Sequence, residues 1–437
     1  MNRNTMNLYN LISLAGLFLL MLLAWVFSTD RRRINPRVLI GGVAIQLLFG
    51  AFVFLVPAGS AFFLAMSRVV VRVLGTALEG ARFCFGPLAI PPGETGSIGF
   101  ILTFQGLATI IFFASLMNIL YFLRVMPWIV QAFARVFTRL MGVSGAESLC
   151  TASNIFVGIE SATTILPYIE RMTRSEICTI LTAGLATIAS TVLGLYVLML
   201  HNEFPQIAAH LMSASLLSAP AALVMSKLLL PETGQPETLG CDVKPHYERE
   251  SNVIEAAIRG ATAGGRLMLG VIVMLMAFLG LVGLANLGLN GLAALIERWS
   301  GLALDLRLEH LLAYVFTPLA LIIGVPPADA FEVGRLLGMR AIMTEIPAYQ
   351  ELARLIAEGG LSDGRSAVLA SYALCGFAHI ASVAIFVGGI AALAPGQTQT
   401  LAKVAFRALA AATLACLMTA AVAGTFYGYG SLLFAMP

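Results

Sequence analysis

The sequence predicts an all-α polytopic membrane protein with eight transmembrane helices, two re-entrant helical hairpins and an inverted internal repeat. Of its 437 residues, 59% are hydrophobic and 11% are charged, and the mean hydropathy is +0.90. A soluble domain of this composition would have too few polar groups to cover its surface. The repeat is visible as two similar uncharged strings, Gly184-Leu-Ala-Thr-Ile-Ala-Ser190 and Gly376-Phe-Ala-His-Ile-Ala-Ser382, each preceded by a glutamate within apolar sequence.

Eight apolar windows are long enough to cross the hydrocarbon core of a bilayer, which takes about 20 helical residues. They are residues 8–27, 37–58, 99–123, 177–200, 208–229, 267–289, 366–393 and 404–427. The first window is too long for a signal peptide and lacks its small-residue cleavage site, so we interpret it as a retained helix. The apolar windows predict that membrane lipid surrounds the protein. The net charge of +3 is small and dispersed, so no nucleic-acid partner is predicted.

Two segments between these windows predict the hairpins. Residues 144–169 are too polar for a plain span but apolar enough to enter the membrane, with Val157-Gly158-Ile159 near the tip. Residues 311–357 form the second copy, in which Gly324-Val-Pro-Pro327 breaks the chain and Thr344-Glu345 lies near the tip. Non-helical backbone at such tips is tolerated where it faces protein or a water-filled cavity. The second hairpin should enter from the face opposite to the first, because the number of crossings between them is odd.

The repeat also predicts interrupted spans and a division of the chain. Gly184 and Gly376 are expected to break spans four and seven, because glycine costs about 1 kcal/mol against alanine in a helix. Inverted units with interrupted helices are typical of transporters, whose substrate binds where the halves meet. The predicted parts are residues 1–142 (spans one to three and an interfacial amphipathic helix at 124–142), 143–229 (first hairpin, spans four and five), 230–310 (polar linker and span six) and 311–437 (second hairpin, spans seven and eight).

Glu160 and Glu345 are the strongest candidates for function. A carboxylate at the centre of a membrane helix costs roughly 2.5 to 3.5 kcal/mol on insertion scales, so it marks a functional site by default. The alternative is that one or both cap the second helix of a hairpin, where a carboxylate meets the positive end of the helix dipole. Glu147 lies close to the interface, and a capping role suits it as well as any other.

Neutral oxygens near the first string predict a cation site. Asn154, Thr187 and the carbonyls of Val157 and Ile188 would offer the ligands that hard cations prefer. A hydrogen-bonded, buried asparagine is the alternative. His379 takes the place in the second string that Thr187 has in the first, and it either satisfies a carbonyl or carries a proton near neutral pH.

Other motifs are missing from the sequence. The six cysteines show no paired spacing and are interpreted as packing residues. No GxxxxGK[ST], HExxH or GxSxG string is present, so neither an ATPase nor another enzyme is predicted and the energy must come from a gradient.

A series of motifs resembles the concentrative nucleoside transporter family. They are Gly145-Ala-Glu-Ser148, Asn154-Ile-Phe-Val-Gly158, Pro167-Tyr168, Met172-Thr-Arg-Ser-Glu176, Ala186-Thr-Ile-Ala189, Ser218-Ala-Pro220 and Leu374-Cys-Gly-Phe-Ala378. The resemblance covers nearly the whole chain, from residue 36 through the tract that begins at Arg407. It implies a homotrimer in a bacterial inner membrane, with a mobile transport domain built from the two hairpins and the helices that follow them. Nucleoside is taken up with sodium, or with protons in some bacterial members.

The resemblance also implies roles for individual residues. Glu345 resembles the glutamate that holds ribose hydroxyls, and Val192 resembles an apolar contact to the base. The implied substrate residues are Glu160, Val192, Thr344, Glu345, Phe377, His379 and Ser382. The implied sodium ligands are Asn154, Val157, Thr187 and Ile188, which favours sodium over protons as the coupling ion; no other cofactor is expected.

The sequence departs from the family pattern mainly at the residues that contact the nucleoside base in the family. The family reads Gly-Gln-Thr-Glu-Ala-Pro at the first tip, whereas Gly158-Ile-Glu-Ser-Ala-Thr163 lacks the Gln-Thr pair, and either Glu160 or Ser161 takes the glutamate position. Thr344 and His379 replace family asparagines. Because a polar site rejects ligands that leave its groups unpaired, we expect an altered base preference or a modified base. The alternatives are a proton-coupled nucleoside symporter that uses His379 or Glu160 and, more remotely, a channel or an intramembrane hydrolase.

Overall fold

A computed structural model describes residues 8–247, 250–301, 305–428 and 433 of the chain. Every regular element in these ranges is helical, as predicted; residues 1–7 of the predicted first part lie outside them. The α-helices are α1 (Leu8–Val26), α2 (Pro36–Phe54), α3 (Pro57–Phe85), α4 (Thr109–Phe122), α5 (Val125–Met141), α6 (Gly145–Val157), α7 (Leu166–Ile169), α8 (Arg174–Ala186), α9 (Ser190–Leu200), α10 (Ile207–Leu229), α11 (Val253–Ser300), α12 (Leu308–Ile322), α13 (Pro327–Ile342), α14 (Glu345–Ala357), α15 (Gly364–Leu374), α16 (Ile380–Leu393) and α17 (Thr398–Phe426). Shorter helical turns cover Gly86–Ala89, Leu102–Leu107, Gly158–Ile165 and Pro395–Gln397.

Eight helical stretches among the described residues are long and apolar enough to cross a membrane, but they differ from the predicted windows. Pro57–Ala89 joins the set, because one window of this stretch has a mean hydropathy of 1.7 although α3 carries charged residues. The predicted span 366–393 is divided into α15 and α16, and α11 extends over 48 residues, well beyond 267–289 at both ends. The number of crossings therefore stays a prediction.

The centre of the molecule is formed by α10 and α17, and α11 lies at the periphery. The most apolar part of α10 is 89% buried and that of the α17 stretch 78%, against 11% for α11. Along its inner side α11 packs against α4, where a Cβ on Gly260 would lie 2.6 Å from the carbonyl oxygen of Ala114. Small residues allow helices in a membrane to approach this closely.

The first hairpin consists of α6, the helical turn Gly158–Ile165 and α7. α6 begins at a capping box: Ser144 N donates to Glu147 Oε1 at 2.8 Å, and Glu147 N donates to Ser144 Oγ at 3.3 Å. It ends at Val157, because Gly158 adopts a φ of 61°, a left-handed conformation that favours glycine. The chain then returns through the turn Gly158–Ile165, so the predicted break near residues 157–159 is confirmed.

The second hairpin consists of α13 and α14. Thr344 caps α14, so the predicted tip at Thr344-Glu345 is confirmed. The predicted start at residue 311 is wrong, because α12 is a separate helix that packs along α13. Gly324, with a φ of 90°, and the two prolines after it separate α12 from the hairpin.

Both predicted broken spans are interrupted. α8 ends at Ala186 and α9 begins at Ser190, while α15 ends at Leu374 and α16 begins at Ile380. Gly184 does not cause the first break, contrary to expectation. It lies inside α8, where a Cβ would be only 2.2 Å from the Phe386 ring, so its small size serves packing.

The two breaks cross at Gly376. A Cβ at this position would lie 2.9 Å from the carbonyl oxygen of Ala186 and 2.7 Å from Cys416 Sγ. Because carbonyl oxygens of the backbone cannot rotate away, only glycine lets the two interrupted helices approach to this distance.

Gly376→Ala should destabilise the protein by about 1–3 kcal/mol, because the added methyl group overlaps the Ala186 carbonyl. Gly388 in α16 provides the control, since a Cβ there meets no atom within 4 Å and alanine favours the helix. Thermal unfolding of both purified variants in the same detergent checks this prediction. Equal midpoints for the two variants would contradict the close crossing.

The polar linker between α10 and α11 lies across the base of the first hairpin. Gly145 N donates to Thr238 O at 2.8 Å, and Ala146 N donates to Thr238 Oγ1 at 3.1 Å. Asp242 lies 3.3 Å from Arg139 on α5, the helix predicted to lie at the membrane interface. The linker therefore joins the first hairpin to α5; the interfacial location of α5 stays a prediction.

Candidate functional site

Glu345 is the centre of a buried polar cluster where the second hairpin meets the broken spans of both repeats. It is the first residue of α14 and is 3% exposed. Tyr196 on α9 donates to Glu345 Oε1 at 2.5 Å, and His379 Nε2 lies 2.9 Å from Glu345 Oε2. An inverted-repeat transporter binds its substrate at such a junction of interrupted helices.

His379 is the N-cap of α16, and this role determines which ring nitrogen faces Glu345. Its Nδ1 accepts a hydrogen bond from Ser382 N at 3.2 Å. A backbone N–H can only donate, so the hydrogen of the neutral ring is assigned to Nε2. Nε2 lies between Glu345 Oε2 and Ser382 Oγ, the latter at 2.8 Å. A second ring hydrogen on Nδ1 would break the cap, so Nδ1 is the accepting nitrogen and Nε2 is the one that faces Glu345 and Ser382.

The other predicted substrate residues surround this cluster. Val192 lies four residues before Tyr196 and therefore on the same face of α9, where it is buried. Thr344 Oγ1 accepts from a backbone N–H of α14 at 3.3 Å, so the hairpin uses this side chain as a helix cap. Phe377 lies in the second break, partly buried against the core.

Three of the four predicted cation ligands meet at the first break. Thr187 Oγ1 donates to Asn154 O at 3.3 Å, and Ser215 Oγ donates to Ile188 O at 3.1 Å. Asn154 Nδ2 donates to Cys150 O at 3.1 Å. Asn154 Oδ1 is buried without a hydrogen-bond partner among the described residues, which is uncommon for an amide oxygen. An unpaired oxygen at the carbonyl-rich end of α8 fits a bound cation.

A cavity of about 700 Å³ opens beside the tip of the first hairpin. Val157, the fourth predicted cation ligand, lines it together with Glu160 and Thr191. The Glu160 side chain is exposed in this cavity, whereas Glu345 is buried with two partners, so the predicted glutamates occupy different surroundings. Ser161 is buried, so Glu160 is the candidate for the family glutamate that faces the cavity.

A buried ion cluster lies at the base of the first hairpin. Lys227 Nζ on α10 is 2.8 Å from Glu147 Oε2 and 3.3 Å from Glu232 Oε2, with the Lys227 and Glu147 side chains 8% and 1% exposed. Ser144 Oγ donates to Glu176 Oε1 at 2.5 Å. Glu147 and Glu176 each close a capping box, so Glu147 has the capping role and also neutralises a buried lysine.

Family comparisons agree with this architecture. The model described as the Na+ dependent nucleoside transporter C-terminus matches residues 210–424, its N-terminal counterpart matches residues 15–88, and a model described as nucleoside recognition matches residues 103–203. An uncharacterized transporter of Haemophilus influenzae is 36% identical over 429 residues, which cover 96% of this chain and 99% of the relative. The chain belongs to the concentrative nucleoside transporter family.

Other concentrative nucleoside transporters match the chain over nearly its full length. The nucleoside permease NupC of Helicobacter pylori is 35% identical and is covered to 98%, with 96% of this chain. The structure of CNTnw in an inward-facing substrate-bound state has a TM-score of 0.87 at 34% identity, with 97% of this chain and 99% of CNTnw covered. The resemblance inferred from motifs is confirmed, as is the all-α fold of this family. The family is one of transporters and not of enzymes.

Sequence analysis missed two hydroxyl side chains of this concentrative nucleoside transporter, Tyr196 and Ser215. Tyr196 lies in an apolar run and has no polar neighbour along the chain, but its spacing from Val192 was a usable signal. Ser215, on α10, donates to the backbone carbonyl oxygens of Ile188 and Ile155. Any residue at those two positions would offer the same acceptor. Side chains that bind backbone carbonyls leave no pattern in a single sequence.

Proposed function

We propose that the chain is a secondary active symporter that imports nucleosides or nucleoside-like compounds and is driven by a sodium gradient. The observation that carries this proposal is the buried Glu345 carboxylate at the junction of the second hairpin with both broken spans. Carboxylate oxygens only accept hydrogen bonds, which suits the adjacent hydroxyls of a ribose. NupC of Helicobacter pylori is named as a nucleoside permease, which supports the same substrate class.

The residues on the proposed base-binding side support a narrower proposal about which nucleosides are imported. His379 stands where the family has an asparagine, and its Nε2 lies within 2.9 Å of both Glu345 Oε2 and Ser382 Oγ. Glu160 faces the cavity as an acceptor, without the amide of a Gln-Thr pair. A ligand must therefore provide donors toward Glu160, which points to an altered base preference or a modified base.

Sodium is the proposed coupling ion, with Asn154, Val157, Thr187 and Ile188 as its ligands. The unpaired Asn154 Oδ1 supports this assignment, because a cation would satisfy it. Neutral oxygen ligands suit a hard cation, whose charge would also balance the partial negative end of α8. The alternative of proton coupling through His379 is less well supported, because Nδ1 already accepts the capping hydrogen bond.

Asn154→Ala should raise the sodium concentration for half-maximal uptake at least about tenfold, since one ligand oxygen is lost. Asn154→Asp is the matched control, because it keeps an oxygen in place and adds negative charge; its sodium affinity should be retained. Sodium titrations of nucleoside uptake in proteoliposomes measure both variants. A wild-type sodium curve for Asn154→Ala would exclude this residue as a ligand.

His379→Asn should shift selectivity toward common nucleosides, because an amide offers both a donor and an acceptor where the imidazole offers one donor. The check is competition by a panel of unlabelled nucleosides against one labelled substrate. Sodium dependence should remain, since the residue is not the proposed ion carrier. An unchanged competition profile would mean that His379 does not line the pocket.

We also propose a homotrimer in a bacterial inner membrane, as the family resemblance implies. The long helix α11 supports a membrane-embedded outer face, since Leu269, Val273 and Met276 are 62%, 56% and 74% exposed there. Such side chains suit contact with lipid or with partner subunits. Native mass spectrometry of the protein in detergent measures the oligomeric state, and a monomer would contradict the trimer.

The proposed function is tested by uptake of a labelled nucleoside panel into proteoliposomes with an inward sodium gradient, an inward proton gradient or neither. Sodium-dependent accumulation of any member is the expected result. Accumulation with the proton gradient alone would replace sodium by protons and direct attention to Glu160. No accumulation of any member would show that the substrate is outside the nucleoside class.

A further inference from the structure

Arg340 is a fully buried cation that the proposed function does not use. It lies in the last turn of α13, the first arm of the second hairpin, and its relative exposure is 0%. A guanidinium is always charged, and burying it without a counter-charge is costly. Among the described residues no carboxylate forms an ion pair with it. Its charge must therefore be balanced in another way.

The end of α15 provides part of that balance, through one nitrogen of the guanidinium; Nε and Nη2 are buried without a hydrogen-bond partner among the described residues. Arg340 Nη1 donates to Ala373 O at 2.5 Å, in the last turn of α15 before the second break. Tyr349, from the second arm of the same hairpin, donates to Ser371 O at 3.0 Å. The C-terminal end of a helix carries unpaired carbonyls and a partial negative charge, and cations are stabilised there. The second hairpin thus supplies both a cation and a hydroxyl to this helix end.

The first repeat has no such cation at the equivalent position. There the last turn of the first arm, α6, carries the neutral Asn154, and the break follows the C-terminal end of α8. Thr187 Oγ1 reaches back to Asn154 O, while Asn154 Oδ1 has no partner among the described residues. The two repeats therefore share one geometry, a hairpin arm against the carbonyl end of a broken helix, but only the second contains a built-in positive charge.

We propose that Arg340 is a tethered cation that occupies, in the second repeat, the position that a mobile cation takes in the first. The chain then binds one coupling ion per cycle, because the carbonyl end of α15 is already neutralised. Arg340 is a positioning residue: it holds the second break and thereby the adjacent His379 in place without touching the substrate. The inference rests on the proposed sodium site only for the identity of the mobile ion.

The test compares the sodium dependence of nucleoside uptake in three variants. In the wild type, uptake should rise hyperbolically with sodium, with a Hill coefficient of about 1. Arg340→Gln leaves the end of α15 without a charge, so a second sodium ion should be required and the Hill coefficient should approach about 2. Arg340→Lys should keep the wild-type curve. Arg335→Gln is the matched control on the same helix, since Arg335 pairs with Glu332 and Glu351 and should not alter the curve.

A second measurement covers variants that lose uptake. Arg340→Ala should recover uptake when guanidinium ions are added, whereas urea, which has a similar shape but no charge, should not restore it. A hyperbolic, unshifted sodium curve for Arg340→Gln would overturn the proposal, and so would equal rescue by urea. If wild-type uptake proves independent of sodium, the proposed coupling ion is wrong, and the contrast between guanidinium and urea still decides the role of Arg340.

Discussion

Glu345→Gln is expected to abolish nucleoside uptake while leaving the protein folded. The amide has the shape of the carboxylate but no charge, and one of its two polar atoms is a donor instead of an acceptor. Loss of two charge-assisted hydrogen bonds to a sugar, at roughly 1.5 kcal/mol each, amounts to about a hundredfold or more in binding. The substitution also removes the carboxylate oxygen that lies 2.9 Å from His379 Nε2, or places a second donor there.

Uptake per folded transporter in proteoliposomes measures this effect, with thermal unfolding as the check on folding. Glu358→Gln is the control, because Glu358 lies just after the same helix, is exposed and pairs with Arg354 at the surface. Surface ion pairs contribute little, so this variant should transport at the wild-type rate. Normal uptake by Glu345→Gln would remove the sugar-binding role of Glu345.

Lys227→Met is expected to cause the largest loss of stability, about 3–5 kcal/mol, because it leaves the buried Glu147 carboxylate without its cation. Glu232, the second partner of Lys227, loses its ion pair as well. Thermal unfolding in detergent and the yield of folded protein are the measurements. Lys244→Met serves as the control, since Lys244 is exposed on the linker and should tolerate the change.

A double variant separates charge from packing in this cluster. Glu147→Gln keeps the capping box, because glutamine can also reach back to the Ser144 backbone, but it removes the negative charge. Combined with Lys227→Met, it should recover a large part of the lost stability. If the double variant is as unstable as Lys227→Met alone, packing and not the buried charge accounts for the loss.

Breaks and caps were predictable from the sequence, because local residues determine them. Gly158 and the Thr344-Glu345 tip were located correctly, since glycine and N-cap residues act on their own backbone. Gly184 was assigned wrongly, because it meets Phe386, which is distant in sequence. The apolar stretch of α3 was missed, because Arg68, Arg72 and Arg82 interrupt it in the sequence, although its best window is as apolar as those of other spans.

The side chains that accept hydrogen bonds in the site could be predicted from the sequence, but those that donate them could not. Glu345 and Asn154 stand out because polar groups in apolar sequence are costly. Tyr196, Lys227 and Arg340 could not be assigned, because each acts on an element far away in the chain: α14, α6 and α15 respectively. Which of these distant residues pair depends on how the two repeats pack against each other, and this packing cannot be inferred from a single sequence.

A single thiol hydrogen is shared between the two broken helices. Cys416 Sγ lies 3.6 Å from the carbonyl oxygen of Ala186 and 3.5 Å from that of Cys375, so both breaks compete for the same weak donor. The two breaks are thus in contact through this thiol as well as at Gly376. Thermodynamic linkage makes such contact reciprocal: whatever factor the ion adds to the affinity for the sugar, the sugar adds to the affinity for the ion. We therefore expect the proposed ion and sugar sites to be coupled where the two breaks touch.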